Sequence, residues 1–235
     1  KVFPNTEFDY VNAGIGATNS QFGAARVQED LLCRLPDLAM VEFSVNDHCT
    51  PHDMETYEGL IRQIYGSRSC PAMVLLHSVY YDTGKSAAYY HAQIGRHYDL
   101  PCISMQNSIY PAVAAGKLPA EKITADFLHP NDLGHEFMVA VITNFLEKVI
   151  HDKTEEQQEI FPAPLTENAY EHCARLQYFN STPEKSGFEE DMTPQRGITD
   201  IFRNGWSAGE KGAYLEFAFR GTGASVQYRR VKDGP

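Results

Sequence analysis

Asp126 and His129 stand three residues apart in "DFLHPNDLGH" (126–135). The spacing lets a carboxylate turn back along a loop and accept the imidazole N–H, which would fix the tautomer and stabilise the imidazolium form. Pro130 pushes the residue before it towards an extended conformation, so His129 should lie on the loop and not in the helix that follows. Asn131 or Asp132 can cap that helix. The pattern is that of a general base with its orienting carboxylate. A metal site built from His129, Asp132 and His135 is disfavoured, because a six-residue offset puts the two histidines on different helix faces. The reading therefore assigns no metal.

Two other stretches carry polar groups at the ends of expected strands, where open α/β sheets bind ligands. "EFSVND" (42–47) ends in Asn46-Asp47. An Asn amide can donate to an oxyanion without adding a titrating group, although the same pair also reads as turn chemistry. "NAGIGATN" (12–19) follows an expected strand with Gly14 and Gly16. A dinucleotide-binding loop would need glycine where Asn19 stands, which leaves either a tight turn or a Gly16 N–H offered to an oxyanion.

Other segments imitate active-site motifs. "GWSAG" (205–209) has the letters of a nucleophile elbow around Ser207, but an elbow needs a helix after it and the triad histidine later in the chain. An alternating segment follows at 214–220, and the last histidine is His172. The pentapeptide reads as a glycine-bounded turn, with Trp206 free to pack or to touch a sugar. "VYYDTGKS" (79–86) ends like a phosphate loop, yet Val79 stands where the first glycine belongs. Cys49 reads as an incidental cysteine and not a nucleophile.

The 235 residues are 43% hydrophobic and 22% charged, with a formal net charge of −11. These are values of a soluble globular chain, without the roughly 18-residue apolar run of a membrane span. The acidic balance argues against nucleic acid, which demands concentrated Lys and Arg, and favours a neutral ligand. Five widely spaced cysteines without a C-x-x-C suggest neither zinc nor a disulfide framework, and fit a reducing, cytoplasmic compartment. The start at Lys1 leaves a secreted precursor open. Asn180-Ser181-Thr182 is a formal glycosylation triplet of little weight, and no signal for oligomeric state stands in the sequence.

Residues 8–150 alternate short apolar runs with amphipathic ones, the pattern of a parallel sheet covered by helices. Strands are expected at 8–13, 38–45, 72–79 and 101–105, with helices at 19–34, 53–66, 86–98 and 131–150. The last carries Phe137, Met138, Val141, Ile142, Phe145, Leu146 and Val149 on one broad face that should pack on the sheet. Composition turns acidic and then proline-rich at 153–165, which reads as a linker. Beyond it, 214–220 and "ASVQYRR" (224–230) read as a β-hairpin around "GTG".

Together, Gly16, Asn46 and Asp126-x-x-His129, in this order along an α/β chain, resemble the SGNH (GDSL-like) hydrolase family over about residues 6–150. The run from "NAGIGATNSQFGAARVQEDLL" through "VEFSVND" to "DFLHPNDLGH" is most similar to bacterial members with an appended β-domain, which include carbohydrate deacetylases. The resemblance implies a three-layer, flavodoxin-like parallel sheet in residues 1–152 and a partial, β-sandwich-like accessory domain in 166–235. It implies a serine nucleophile, Asp126 and His129 as its acid–base pair, and an oxyanion hole from Gly16 N–H and the Asn46 side chain. No cofactor is implied, and the partner is a small ester or acetylated saccharide.

The family's first block, a G-D-S or G-G-S element on the first strand, has no match in this chain. In the family's sheet order that strand lies between the 8–13 and 38–45 strands, so the serine is expected N-terminal to Lys1. Two other readings stand beside deacetylation: an acyl-hydrolase or lipase on another small ester, and a non-catalytic saccharide-binding protein.

Overall fold

Short apolar runs separated by capped helices build a parallel sheet in the computed structural model, which describes residues 5–151 and 161–229. Helix α1 (Ser20–Asp30) is capped by Asn19, whose side chain accepts the Phe22 N–H at 3.2 Å. Strands β1 (Leu38–Val41), β2 (Ala72–His77) and β3 (Cys102–Ser104) lie side by side in that order. Leu38 pairs with Ala72, and Leu75 pairs with Val41 on one side and Cys102 on the other. Parallel pairs need crossovers, and α2 (Pro51–Tyr65) and α3 (Ala88–His97) supply them. Thr50 and Asp53 close a reciprocal capping box at the start of α2, with Pro51 in its first turn. After β3 come the short helices α4 (Met105–Ser108) and α5 (Tyr110–Ala114), and then the long α6 (Asp132–His151).

The sheet is the middle of three layers. Ala39, Val41, Met73 and Leu75 form one core with residues of α1, α2 and α3. Val74 and Ile103 form a second with Met105, Ile109 and Ile123, against which Met138, Val141, Ile142 and Phe145 of α6 lie half-buried. The apolar stripe of α6 is wider than this contact, and Phe137 and Val149 remain 39% and 52% exposed. Among the described residues no helix is long and apolar enough to cross a membrane. The five cysteines are free thiols.

Residues 8–13, expected as a strand, take no regular structure, and Tyr10 is 85% exposed. β-propensity expresses packing on a pleated surface, and by itself it does not make a strand of this segment. The chain divides into two compact units, Thr18–Cys173 and another made of the described residues before and after it.

Of the expected linker, 153–160 lie outside the described residues, whereas 161–173 fold into the first unit. Phe161 stacks on Tyr65, and the Arg62 guanidinium donates to the Pro162 carbonyl at 2.8 Å and to Glu171 at 2.8 Å. Glu58, wholly buried on α2, accepts the N–H groups of Leu165 and Thr166 at 2.6 and 2.7 Å and the Tyr98 hydroxyl at 2.5 Å. A buried carboxylate must be satisfied by donors, and this segment supplies them.

In the second unit, β4 (Glu184–Ser186) pairs antiparallel with β7 (Tyr214–Glu216), and β5 (Glu189–Glu190) with β6 (Trp206–Ser207). The expected hairpin is therefore not formed: 214–216 finds its partner at 184–186. Residues 224–229 are in no strand, with Val226 and Tyr228 84% and 72% exposed. Ser207 stands exposed on β6, while Trp206 meets Phe217 edge-on at 5.4 Å. "GWSAG" is thus a short paired strand and its surroundings, not an elbow.

Candidate active site

The loop before α6 joins Asp126 to His129 through local bonds. Asn131 caps the helix, its side chain accepting the Gly134 N–H at 3.0 Å, and Asn131 N–H donates to the Ile123 carbonyl at 2.9 Å. Between these anchors Thr124 and Pro130 form an antiparallel bridge, so 125–129 bulges outward. One Asp126 oxygen accepts the N–H groups of Leu128 and His129 at 3.0 and 2.8 Å and lies 3.2 Å from the Thr124 hydroxyl. The other meets His129 Nδ1 at 2.6 Å.

The His129 side chain hydrogen bond, followed by the two backbone N–H donors, holds the Asp126 carboxyl well below the usual carboxylate range. An ionised carboxylate only accepts, so His129 Nδ1 carries the proton and Nε2 keeps its lone pair. The His129 side chain is 79% exposed, so Nε2 is accessible to a reacting group.

Asn46 lies on the turn leaving β1. Its N–H and that of Asp47 both donate to the Phe43 carbonyl, at 3.0 and 2.9 Å. Asp47 is buried: one oxygen accepts the Ser20 N–H at the start of α1 at 2.9 Å, and the other meets His91 Nε2 of α3 at 2.9 Å. His91 stacks on Tyr57 with ring centroids 3.7 Å apart. Ser44 is held at both N–H and hydroxyl by the Glu42 carboxylate, at 2.9 and 2.6 Å. The Asn46 amide itself bonds to none of the described residues and is half-exposed. A donor left over in a turn so fully bonded is poised for an external acceptor.

Gly16 belongs to the second unit, in a turn where Ala17 has φ +58°. Asp126, His129 and Asn46 belong to the first.

No protein-family model matches the chain, and no match arises among curated proteins. Solved structures do match. A two-domain esterase active on acetylated mannans superposes with a TM-score of 0.83 at 50% identity, covering 90% of this chain and 57% of that one. A two-domain esterase of the same description, co-crystallised with mannopentaose, gives 0.80 at 51% identity with the same coverage. The chain therefore spans 57% of the length of these relatives.

Over 90% of its length the chain is thus similar to two-domain esterases.

Within this chain the structure brings Asp126 to His129 and puts Asn46 on the turn at the exit of a parallel strand. What the motifs missed is the segment joining them. The Tyr80 hydroxyl donates to the Val45 carbonyl at 3.2 Å, and the next residue, Tyr81, donates its N–H to the Phe127 carbonyl at 2.8 Å. The segment's sequence signal is "VYYDTGKS" (79–86), whose letters imitate a phosphate loop. Asp47 was visible as half of a turn pair, but its buried His91 partner lies 44 residues away and left no local trace.

Proposed function

We propose that the protein is a serine ester hydrolase that removes acetyl groups from a saccharide. The observation that carries this reading is the Asp126–His129 bond, which leaves an exposed Nε2 lone pair beside an ionised carboxylate. His129 takes the proton of an attacking serine hydroxyl as its oxygen bonds to the acetyl carbon. The imidazolium, held by Asp126, gives that proton to the sugar oxygen as the ester C–O bond breaks. Water then repeats the sequence on the acetyl-enzyme and releases acetate. The Asn46 amide is the donor assigned to the tetrahedral oxyanion. We assign the serine to the family's first block, N-terminal to Lys1, on the resemblance alone.

The substrate class is supported by the half-identical two-domain esterase described as active on acetylated mannans. A chain of formal charge −11 suits a neutral sugar better than an anionic one. The free cysteines fit a reducing, cytoplasmic setting.

The test is acetate release from acetylated mannan by the full-length protein and by its His129→Ala variant. The wild type should release acetate and the variant should be slower by about 10³-fold or more. Equal release by both overturns the pair's role, and saccharide binding without release by either favours a binding protein.

A further inference from the structure

Asn46 and His129 lie on different loops, so something must hold the oxyanion donor and the base in register. We propose that Tyr80 is a positioning residue for Asn46, and that the 78–86 segment sets the spacing between the two loops. This inference rests on the ester-hydrolysis reading.

The segment is itself closed and anchored. Tyr80 N–H donates to the Lys85 carbonyl at 3.0 Å, and Gly84 N–H returns to the Tyr80 carbonyl at 2.7 Å. Gly84 has φ +70°, and a Cβ there would come within 2.6 Å of the Tyr110 hydroxyl, so both conformation and space require glycine. Gln106 of α4 donates to the Gly84 carbonyl at 2.8 Å. The hydroxyls of Ser86 and Ser44 converge on the Ser78 carbonyl at 2.8 and 3.1 Å, and Ala87 N–H donates to the Ser44 carbonyl at 2.6 Å.

Two arms leave this brace from adjacent residues. One is the Tyr81 N–H bond to the Phe127 carbonyl, at a residue held with φ +63° between Asp126 and His129. A non-glycine residue seldom adopts that conformation, and the bond helps to fix it. The other is the Tyr80 hydroxyl on the Val45 carbonyl. That carbonyl shares a rigid peptide plane with the Asn46 N–H, which is bonded to the Phe43 carbonyl. The plane is thus pinned at its oxygen by Tyr80 and at its nitrogen by Phe43, and the Asn46 Cα, which lies in that plane, is placed with it. Removing the hydroxyl frees one end of the plane without touching Asn46 or the acid–base pair.

The experiment is a double-mutant cycle in the full-length protein with p-nitrophenyl acetate, using Tyr80→Phe, Asn46→Ala and the pair, with thermal melts of each. Tyr80→Phe should lower kcat about tenfold with KM little changed, as expected when a preorganised donor is loosened. In the Asn46→Ala background the same change should cost nothing further, because no donor remains to be positioned. A tenfold loss in both backgrounds, or no loss in either, overturns the inference while leaving the ester-hydrolysis reading intact if Asn46→Ala alone is slow. Equal turnover by wild type and Asn46→Ala overturns both the donor role of Asn46 and the inference. Melts of Tyr80→Phe close to wild type exclude unfolding as the cause of its loss.

Discussion

His129 Nδ1 and one Asp126 oxygen stand 2.6 Å apart, while the other Asp126 oxygen accepts the backbone N–H of His129 itself at 2.8 Å. The carboxylate therefore grips both the ring and the main chain of the same residue. Asp126→Asn replaces an acceptor by a group that can donate, favouring the tautomer with the proton on Nε2. Turnover of an acetyl ester should fall about 10²–10⁴-fold with the fold intact by circular dichroism. The same pair holds the Asp126 carboxyl well below the usual carboxylate range. Carboxyl NMR of Asp126 should therefore show no protonation at the pH where free carboxylates titrate, and a shift there would contradict the assignment.

Gly134 sits where a Cβ would lie 2.2 Å from the Ile123 carbonyl oxygen and 2.8 Å from Pro130 Cβ. The first turn of α6 can approach the base loop only because that atom is missing. Gly134→Ala should force the helix outward, costing about 1–3 kcal/mol in urea unfolding and lowering esterase activity by disturbing the Thr124–Pro130 bridge. Wild-type stability and activity in this variant would show that the loop does not depend on the close approach.

His77, at the end of β2, is 1% exposed, and its ring lies 5.9 Å from His91. Burial, then repulsion from His91, lowers its pKa from 6.5 to about 4. The folded state thus prefers the neutral ring. Its contribution is complete above the unfolded-state pKa and is lost as pH falls from about 6.5 towards 4. The loss should amount to about 2–3 kcal/mol between pH 7.5 and 4.5. His77→Leu should flatten that part of the stability curve, measured by urea midpoints at the two pH values. An unchanged slope would place the acid sensitivity elsewhere.

The Asp126–His129 pair was legible because it is local. The bond between them spans three residues, as do those of the caps at Asn131, Asn19 and Thr50. The segment 161–165 has the composition of a linker, while the demand it meets comes from Glu58, about a hundred residues earlier. Residues 8–13 and 224–229 carry strand-like alternation but no strand. Alternation states which side chains could share a face, and only a partner ladder turns that into a strand.

The sequence by itself therefore determined the approximate places of the four longest helices, the three parallel strands between them and the pairing of Asp126 with His129, since each depends on side chains that meet within a few residues. Tertiary structure alone decided that Asp47 would be buried against His91, that Glu58 would draw in 165–166, and that Tyr80 and Tyr81 would reach one loop each. Those bonds join groups from separate elements, and which donor finds which acceptor there is settled only when packing has excluded water from both.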